Sequence, residues 1–424
     1  MKKTNLYILI FIAIIILKIT NNNLYTKYAT IINYISIIIA LISSIYFTIK
    51  LKYLNYNIKI LNNIIKKSNI NDKKALFMSL GAKIGVGSLA GISIAIYTNG
   101  PGVLLWIWII TSLSSILSYC ETYLGSKYKN GVFGYIKKGL SNKTLATIYG
   151  VLLMFIYEIG FVGIQTNTIY KSAKELNIIN NKVLILIIIS VITILLFNKI
   201  ERIINITSKI VPLMCIIYII ISLPLLFKIN IIKAFLIIIN DGINNNRIFK
   251  IITAGFYKGI FATESGIGTS SITTTISNSN PKTKAITQLL GTHFISLVII
   301  TITGIIVINY SNNYIGKING IEILLNIFYN CYGLSGKILL NIIIFLFAIS
   351  TILSSFFLSI KGLEFLKNKI DKKEIIILKS VIIIFSYIGM IINSSVIWSL
   401  IDDILLYLLI INIYTMMKLR KEIK

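Results

Sequence analysis

Apolar residues in this chain gather into long, nearly unbroken runs, separated by short stretches rich in lysine and asparagine. About 20 apolar residues in a helix are needed to cross a bilayer core about 30 Å thick. Runs near that length fall at 30–49, 76–97, 101–125, 145–169, 182–198, 203–227, 251–279, 285–309, 336–360, 374–393 and 396–417, which predicts an all-helical integral membrane protein of eleven spans. Another run, LYILIFIAIIIL at 6–17, is short for a span and follows Lys2 and Lys3. It is open to three readings: an uncleaved signal-like helix, an interfacial helix or a twelfth span. Two weaker pieces, 231–239 and 321–331, are too short to cross and are expected to lie as external helices on the bundle.

Two spans break their own pattern. GAKIGVGSLAGIS in span 2 and GFYKGIFATESGIGTSSITTTIS in span 7 each place a Gly-x-Gly pair, Gly85 with Gly87 and Gly266 with Gly268, among small polar residues near mid-membrane. Glycine costs roughly 1 kcal/mol against alanine in a helix interior, so each span is weakened at its centre. Span 2 opens one group of five helices and span 7 opens the next, and the odd number between them gives the two groups opposite orientation. Such an inverted repeat, interrupted in the first helix of each half, points to a secondary transporter with its site at the midplane. The free main-chain groups are tolerable there only where an ion, a substrate or water satisfies them. Gly81-x-x-x-Gly85 and Gly87-x-x-x-Gly91 also read as helix-packing motifs, but the matching break in span 7 favours the site. The expected divisions are an N-terminal segment 1–29, an extra helix with a basic loop at 30–75, a first repeat at 76–228, an external loop at 229–250, a second repeat at 251–418 and a tail at 419–424.

Composition adds topology. A net charge of +28 would suit nucleic acid, but the basic residues are dispersed through short loops, so no nucleic-acid partner is expected. The loops after spans 1, 3, 5, 7 and 9 together with the C-terminal tail hold 27 Lys and Arg against 10 in the opposite loops. The positive-inside rule then puts the C-terminus in the cytoplasm. Cys120, Cys215 and Cys331 form neither a disulfide framework nor a zinc spacing, and His293 has no metal-binding companion. No Walker motif and no nucleophile with a nearby base is visible, so gradient-driven transport is expected, with an enzyme the least favoured class.

At these residues the chain resembles the alanine or glycine:cation symporter family, also called sodium:alanine symporters, within the group sharing the LeuT fold. GAKIGVGSLAGISIAI resembles the family's glycine-rich first core helix, and GPGVLLWIW with CETYLGSKYK resembles the next, Glu121 included. IQTNTIY, GIFATESGIGTS and FAISTILSSFF resemble segments of the third, sixth and eighth. The resemblance implies a LeuT-type five-plus-five inverted-repeat bundle with an additional N-terminal helix, and uptake of alanine, glycine or a related small neutral amino acid driven by Na+, sometimes by protons, without an organic cofactor. Departures fall in the substrate shell: Ser88 stands for an asparagine, Thr263, Glu264 and Ser265 for Asn-Glu-Ala, Val162 for an asparagine, and Leu358, Ser359 and Ile360 for Tyr-Gly-Glu.

A zwitterion needs donors for its carboxylate and acceptors for its ammonium. Gly85, Val86, Gly87 and Ser88 are expected to offer backbone N–H groups to the carboxylate, and the stretch around Thr263, Gly266 and Gly268 to offer carbonyls. Gln165 reads as a substrate ligand or an interhelical hydrogen bond, and Asn167 cannot share its face. The resemblance assigns Na+ to Ser350 and Thr351 with carbonyls near Ala82 and Gly85; back-bonding of the two hydroxyls to their own helix is the plain alternative. Lys83 is expected to snorkel to the inner interface, with a gate ion pair as the sharper reading. Glu264 reads as a site or gating carboxylate or a buried structural group, Glu121 as structural, and Glu158 has no assigned role. The rivals to a sodium symporter are a proton-coupled or glutamine-type carrier, a channel, and a transport-inactive sensor.

Overall fold

A computed structural model describes residues 22–57, 68–310, 320–367, 370–392 and 394–424, and every regular element among them is helical. The apolar run at 6–17 lies outside the described residues. The chain opens with α1 (Asn22–Lys50). Span 2 is two helices, α2 (Ile70–Lys83) and α3 (Ala90–Asn99), bent by 60° at their junction. Asn69 and Asp72 start α2 with a reciprocal capping box, each side chain accepting from the other's N–H at 2.9 Å. Buried Asp72 also accepts from Ser277 (2.5 Å) and Ser279 (2.7 Å), residues that follow the second break.

Gly100, in a conformation with φ of 92°, and Pro101 turn the chain into α4 (Val103–Tyr128). α5 (Lys143–Lys174) is continuous but carries a π turn at Ile156–Phe161. α6 (Asn181–Leu196) and α7 (Ile200–Phe227) follow, and then α8 (Ile231–Asn244), where the external helix is expected. Span 7 divides into α9 (Ile248–Thr263) and the short α10 (Thr269–Thr273). α11 (Pro281–Tyr310) starts with proline in its first turn and an Asn280 cap. The expected external helix near 321–331 and the next span meet at Gly333, whose φ of 65° and ψ of −155° are not helical and which a β-carbon would resist, so that α12 (Ile321–Lys367) is two helices joined at a kink. α13 (Lys372–Ile391) and α14 (Ser394–Lys418) complete the bundle.

α4 packs along α9 and α11, and α12 packs against α5 and α7, which places both breaks at the centre. Leu186 and Ile194 on α6, Ile216 and Ile220 on α7, and Ile377 and Ile384 on α13 are exposed, as a lipid-facing surface requires. Six helices among the described residues are long and apolar enough to cross a membrane, and the bent α2–α3 pair makes a seventh. α6 is shorter, and 16 residues of helix reach only about 24 Å.

α8 is held on the first turns of α4 by contacts that need glycine. The Gly102 N–H donates to Asp241 at 2.7 Å, Trp106 Nε1 donates to the Gly242 carbonyl at 2.9 Å, and a β-carbon on Gly102 would stand 2.4 Å from the Gly242 nitrogen. Main chain cannot yield as a side-chain tip can, so Gly102→Ala is expected to cost about 1–3 kcal/mol. A lowered thermal midpoint of the detergent-purified protein would register it, whereas Gly333→Ala, with open space around it, should act through backbone strain alone.

Candidate functional site

The first break forms where α2 stops. The Ile84 N–H closes the helix on the Leu80 carbonyl at 2.6 Å, Gly85 is extended, and Val86–Ser88 make a single 3-10 turn. The Val86 N–H crosses to α5 and donates to Gln165 Oε1 at 3.0 Å. Ser88 folds back and donates to the Gly85 carbonyl at 2.9 Å. From α12, the Thr351 hydroxyl donates to the Gly81 carbonyl at 2.9 Å and Ser354 to that of Met78 at 3.1 Å, so two hydroxyls meet carbonyls of α2. A β-carbon on Gly85 would lie 2.7 Å from Thr351 Oγ1 and 2.8 Å from Gln165 Nε2, and one on Gly87 would lie 2.5 Å from the Phe261 ring. Gly85, Val86, Gly87, Ser88, Gln165 and Thr351 are thus one buried cluster, with Ala82 buried at the same end of α2. Ser350 is not brought into it: its hydroxyl donates to the Phe347 carbonyl at 2.8 Å and lies 3.5 Å from Met214 Sδ. Asn167 faces away from Gln165, donating to the Gly389 and Ile392 carbonyls.

The second break is built differently. Glu264 takes a left-handed conformation (φ 46°), followed by Gly266 (φ 84°) and Gly268 (φ 93°). The Gly266 carbonyl accepts from Asn412 of α14 at 2.8 Å, the Ile267 carbonyl accepts from the Tyr149 hydroxyl, and the Gly268 N–H donates to Glu121 at 2.8 Å. Asn412 also donates to Glu121 at 3.1 Å and accepts from Tyr135 at 2.5 Å. The Glu264 carboxylate accepts from Thr269 at 2.6 Å and Tyr157 at 2.7 Å. The expectation of carbonyls open to a ligand at Gly266 and Gly268 is therefore corrected, because these two carbonyls already accept from Asn412 and from Ser271 (2.6 Å). Thr263 donates to the Gly259 carbonyl at 2.8 Å and accepts from Ser265, which in turn accepts from Ser118 of α4, so its hydroxyl joins a chain running to α4.

The snorkelling expected of Lys83 is also corrected. Lys83 is 4% exposed and its Nζ donates to Ser270 of α10 at 2.7 Å. α2 ends at this residue, so the side chain continues inward along the space the missing turn leaves. Glu121 and Glu264, both fully buried, are the acidic side chains it faces. An aromatic stack links the two breaks: the Tyr157 ring lies 4.9 Å from that of Phe161, which lies 5.3 Å from that of Phe261, the ring that fills the space beside Gly87. Sequence reasoning passed over Tyr149, Tyr157 and Asn412. Asn412 had left a signal, a lone amide inside the apolar run LLIINIYT.

A family model described as the sodium:alanine symporter family matches residues 6–424. The chain is 27% identical over 363 residues to "Amino-acid carrier protein AlsT" of Bacillus subtilis (strain 168), covering 81% of this chain and 77% of that one. It is 27% identical over 374 residues to "Probable sodium/glutamine symporter GlnT" of the same organism, covering 84% and 78%. It is 27% identical over 263 residues to "Sodium/alanine symporter AgcS" of Methanococcus maripaludis, covering 57% and 58%. In fold it is similar to a solved Na+-coupled sialic acid symporter in a substrate-bound outward-open state, with a TM-score of 0.58 and 16% identity over 88% of this chain and 83% of that one.

The two breaks should respond differently to substitution. Gly87→Ala drives a methyl into Phe261 and is expected to abolish substrate binding by the purified protein while the protein still folds. Glu121→Ala leaves the Gly268 N–H and one N–H of the Asn412 amide without their buried acceptor, at about 1–3 kcal/mol for each group. A lower thermal midpoint is expected there, and Glu121→Gln, which keeps an acceptor, should lose less.

Proposed function

The chain belongs to the sodium:alanine symporter family, and from that premise we propose that it carries a small neutral amino acid across the cytoplasmic membrane together with Na+, by alternating access. The observation that supports this most is the first break. Its glycines let main chain, the Gln165 amide and the Thr351 hydroxyl converge in a buried space that any added β-carbon would fill. The substrate carboxylate is assigned to the N–H groups of Val86, Gly87 and Ser88, at the positive end of α3. Its ammonium is assigned to the carbonyls of the last turn of α2, with Gln165 releasing the Val86 N–H to the carboxylate as substrate enters. Na+ needs several oxygen donors of low basicity. Carbonyls at Ala82 and Gly85 with the Thr351 hydroxyl provide that chemistry, and Ser354 is a better second hydroxyl than Ser350 because it already reaches a carbonyl of α2. Thr263, Gly266 and Gly268 are assigned to the framework of the second break, with Glu121 and Glu264; Lys83 joins the two breaks.

The same reading keeps eleven spans, two inverted repeats at 76–228 and 251–418, and a cytoplasmic C-terminus. It is supported by two cavities of about 520 Å³ and 360 Å³ that share Asn130 and Thr275 and are lined by lysines, Lys137, Lys138 and Lys361 in one and Lys129 and Lys284 in the other. They are assigned as the cytoplasmic vestibule. Glutamine is a second candidate substrate, favoured by a 27% identity to GlnT that equals the one to AlsT.

Uptake of labelled alanine into proteoliposomes tests the proposal. External Na+ is expected to be required, and uptake undiminished in choline overturns sodium coupling. Thr351→Val keeps the shape and removes one oxygen, so it should raise the Na+ concentration for half-maximal uptake by about tenfold. Competition by unlabelled glycine and glutamine ranks the substrates.

A further inference from the structure

The smaller of the two lysine-lined cavities, about 360 Å³, lies where the end of α4, the segment after α10 and the first turn of α11 meet. Its wall is rich in hydroxyls, but most of their protons are committed, since each hydroxyl has only one to give. Ser271, Thr274 and Thr275 donate to carbonyls one turn earlier in the chain, and Ser277 and Ser279 donate to Asp72. The donors left in the wall are Ser126, Lys129, Asn130, Asn278 and Lys284. Among the described residues, none of these five side chains donates a hydrogen bond to the protein.

Lys284 carries the most weight. It is only 8% exposed, a burial that lysine rarely reaches without a counter-charge, yet among the described residues its ammonium forms no salt bridge. The acid it faces, Asp72, is already engaged by Ser277 and Ser279. Lys129 and Asn130, in the left-handed turn that follows α4 (φ 59° and 62°), bring a second ammonium and an amide to the same wall. Ser126 Oγ is buried there without a partner. α11 begins at this wall, and its aligned peptides add a positive end. No aspartate or glutamate lines the cavity, so two cations and three neutral donors surround a space with no anion in it.

We propose that this cavity is a binding site for a phosphate group, held by Lys284 and Lys129 with the Asn130 and Asn278 amides and the Ser126 hydroxyl. A phosphate monoester near neutral pH carries a charge of about −1.5 to −2 and three strong acceptor oxygens, which matches two ammonium groups and several free donors. Lysine binds phosphate as a point charge and needs no forked geometry to do so. A carboxylate brings one charge for two cations, and a chloride ion would leave most of the 360 Å³ unfilled. A soluble phosphate compound and a phospholipid headgroup share this chemistry. Seated there, the group bridges the end of α4 to the start of α11 beside the segment that holds Asp72. The site takes neither the cargo nor its Na+, and so goes beyond the symport reading.

The test uses the full chain in a maltoside detergent, which carries no phosphate, without Na+ or amino acid. One arm follows the thermal midpoint against potassium phosphate, with potassium chloride of equal ionic strength as the reference. The other adds phosphatidic acid to the micelles and counts the lipids that stay bound by native mass spectrometry. A saturable effect beyond that of chloride is expected in at least one arm, and the arm that gives it identifies the source of the phosphate. Lys284→Met keeps the length of the side chain, removes its charge and should weaken binding by about tenfold. Lys282→Met, exposed and outside the cavity, should leave it unchanged. If Lys284→Met does not fold, Lys129→Met at the exposed side of the wall should still weaken binding by about threefold. A midpoint that follows ionic strength alone, with no lipid retained, overturns the site. So does saturable binding that is the same in Lys284→Met and Lys129→Met as in the unaltered protein. Neither outcome touches the symport reading, whose own failure is uptake indifferent to Na+.

Discussion

A main-chain N–H or C=O without a partner is far more costly in hydrocarbon than in water, and both broken helices are organised around that constraint. They meet it in opposite ways. At the second break Asn412, Tyr149 and Glu121, from three different helices, take the freed groups of Gly266, Ile267 and Gly268. At the first, Gln165 reaches the Val86 N–H, and the rest of the cluster is glycine, hydroxyl and aromatic ring held close together. The repeated motif therefore yields one corner held by distant side chains and one closed by tight packing around its glycines, and the difference comes from neighbouring helices more than from the glycines themselves.

How far the sequence could be read follows from this. Span positions are legible because a bilayer demands a minimum apolar length, and the breaks because paired glycines in such a run oppose helix formation. The first-break residues are local in sequence, and Gln165 and Thr351 stand out as polar groups on apolar helices, so that cluster is largely foreseeable. Which groups occupy the second break is not, since the partners of Gly266 and Gly268 are separated from them by well over a hundred residues and their pairing depends on how α4, α5 and α14 pack. Lys83 shows the same limit: counted along the span it lies within reach of an interface, and only the early stop of α2 turns it inward to Ser270.

Ser88 illustrates how a departure from the family pattern can alter a site without altering the fold. A shorter side chain than asparagine folds onto the Gly85 carbonyl instead of reaching out. It remains a donor to its own turn, next to Gly87, which lies against the Phe261 ring. The aromatic stack beside Gly87 runs from Phe261 through Phe161 to Tyr157, whose hydroxyl holds Glu264.

The inner portions of the two interrupted helices are fastened to one another at both extremities. Asp72, at the start of α2, grips Ser277 and Ser279 beyond α10, while Lys83, at its end, grips Ser270. Two rods pinned at both tips cannot swing apart without shearing those fastenings. They form a single lever, so whatever unlatches one strut towards the basic side of the bundle carries its twin along.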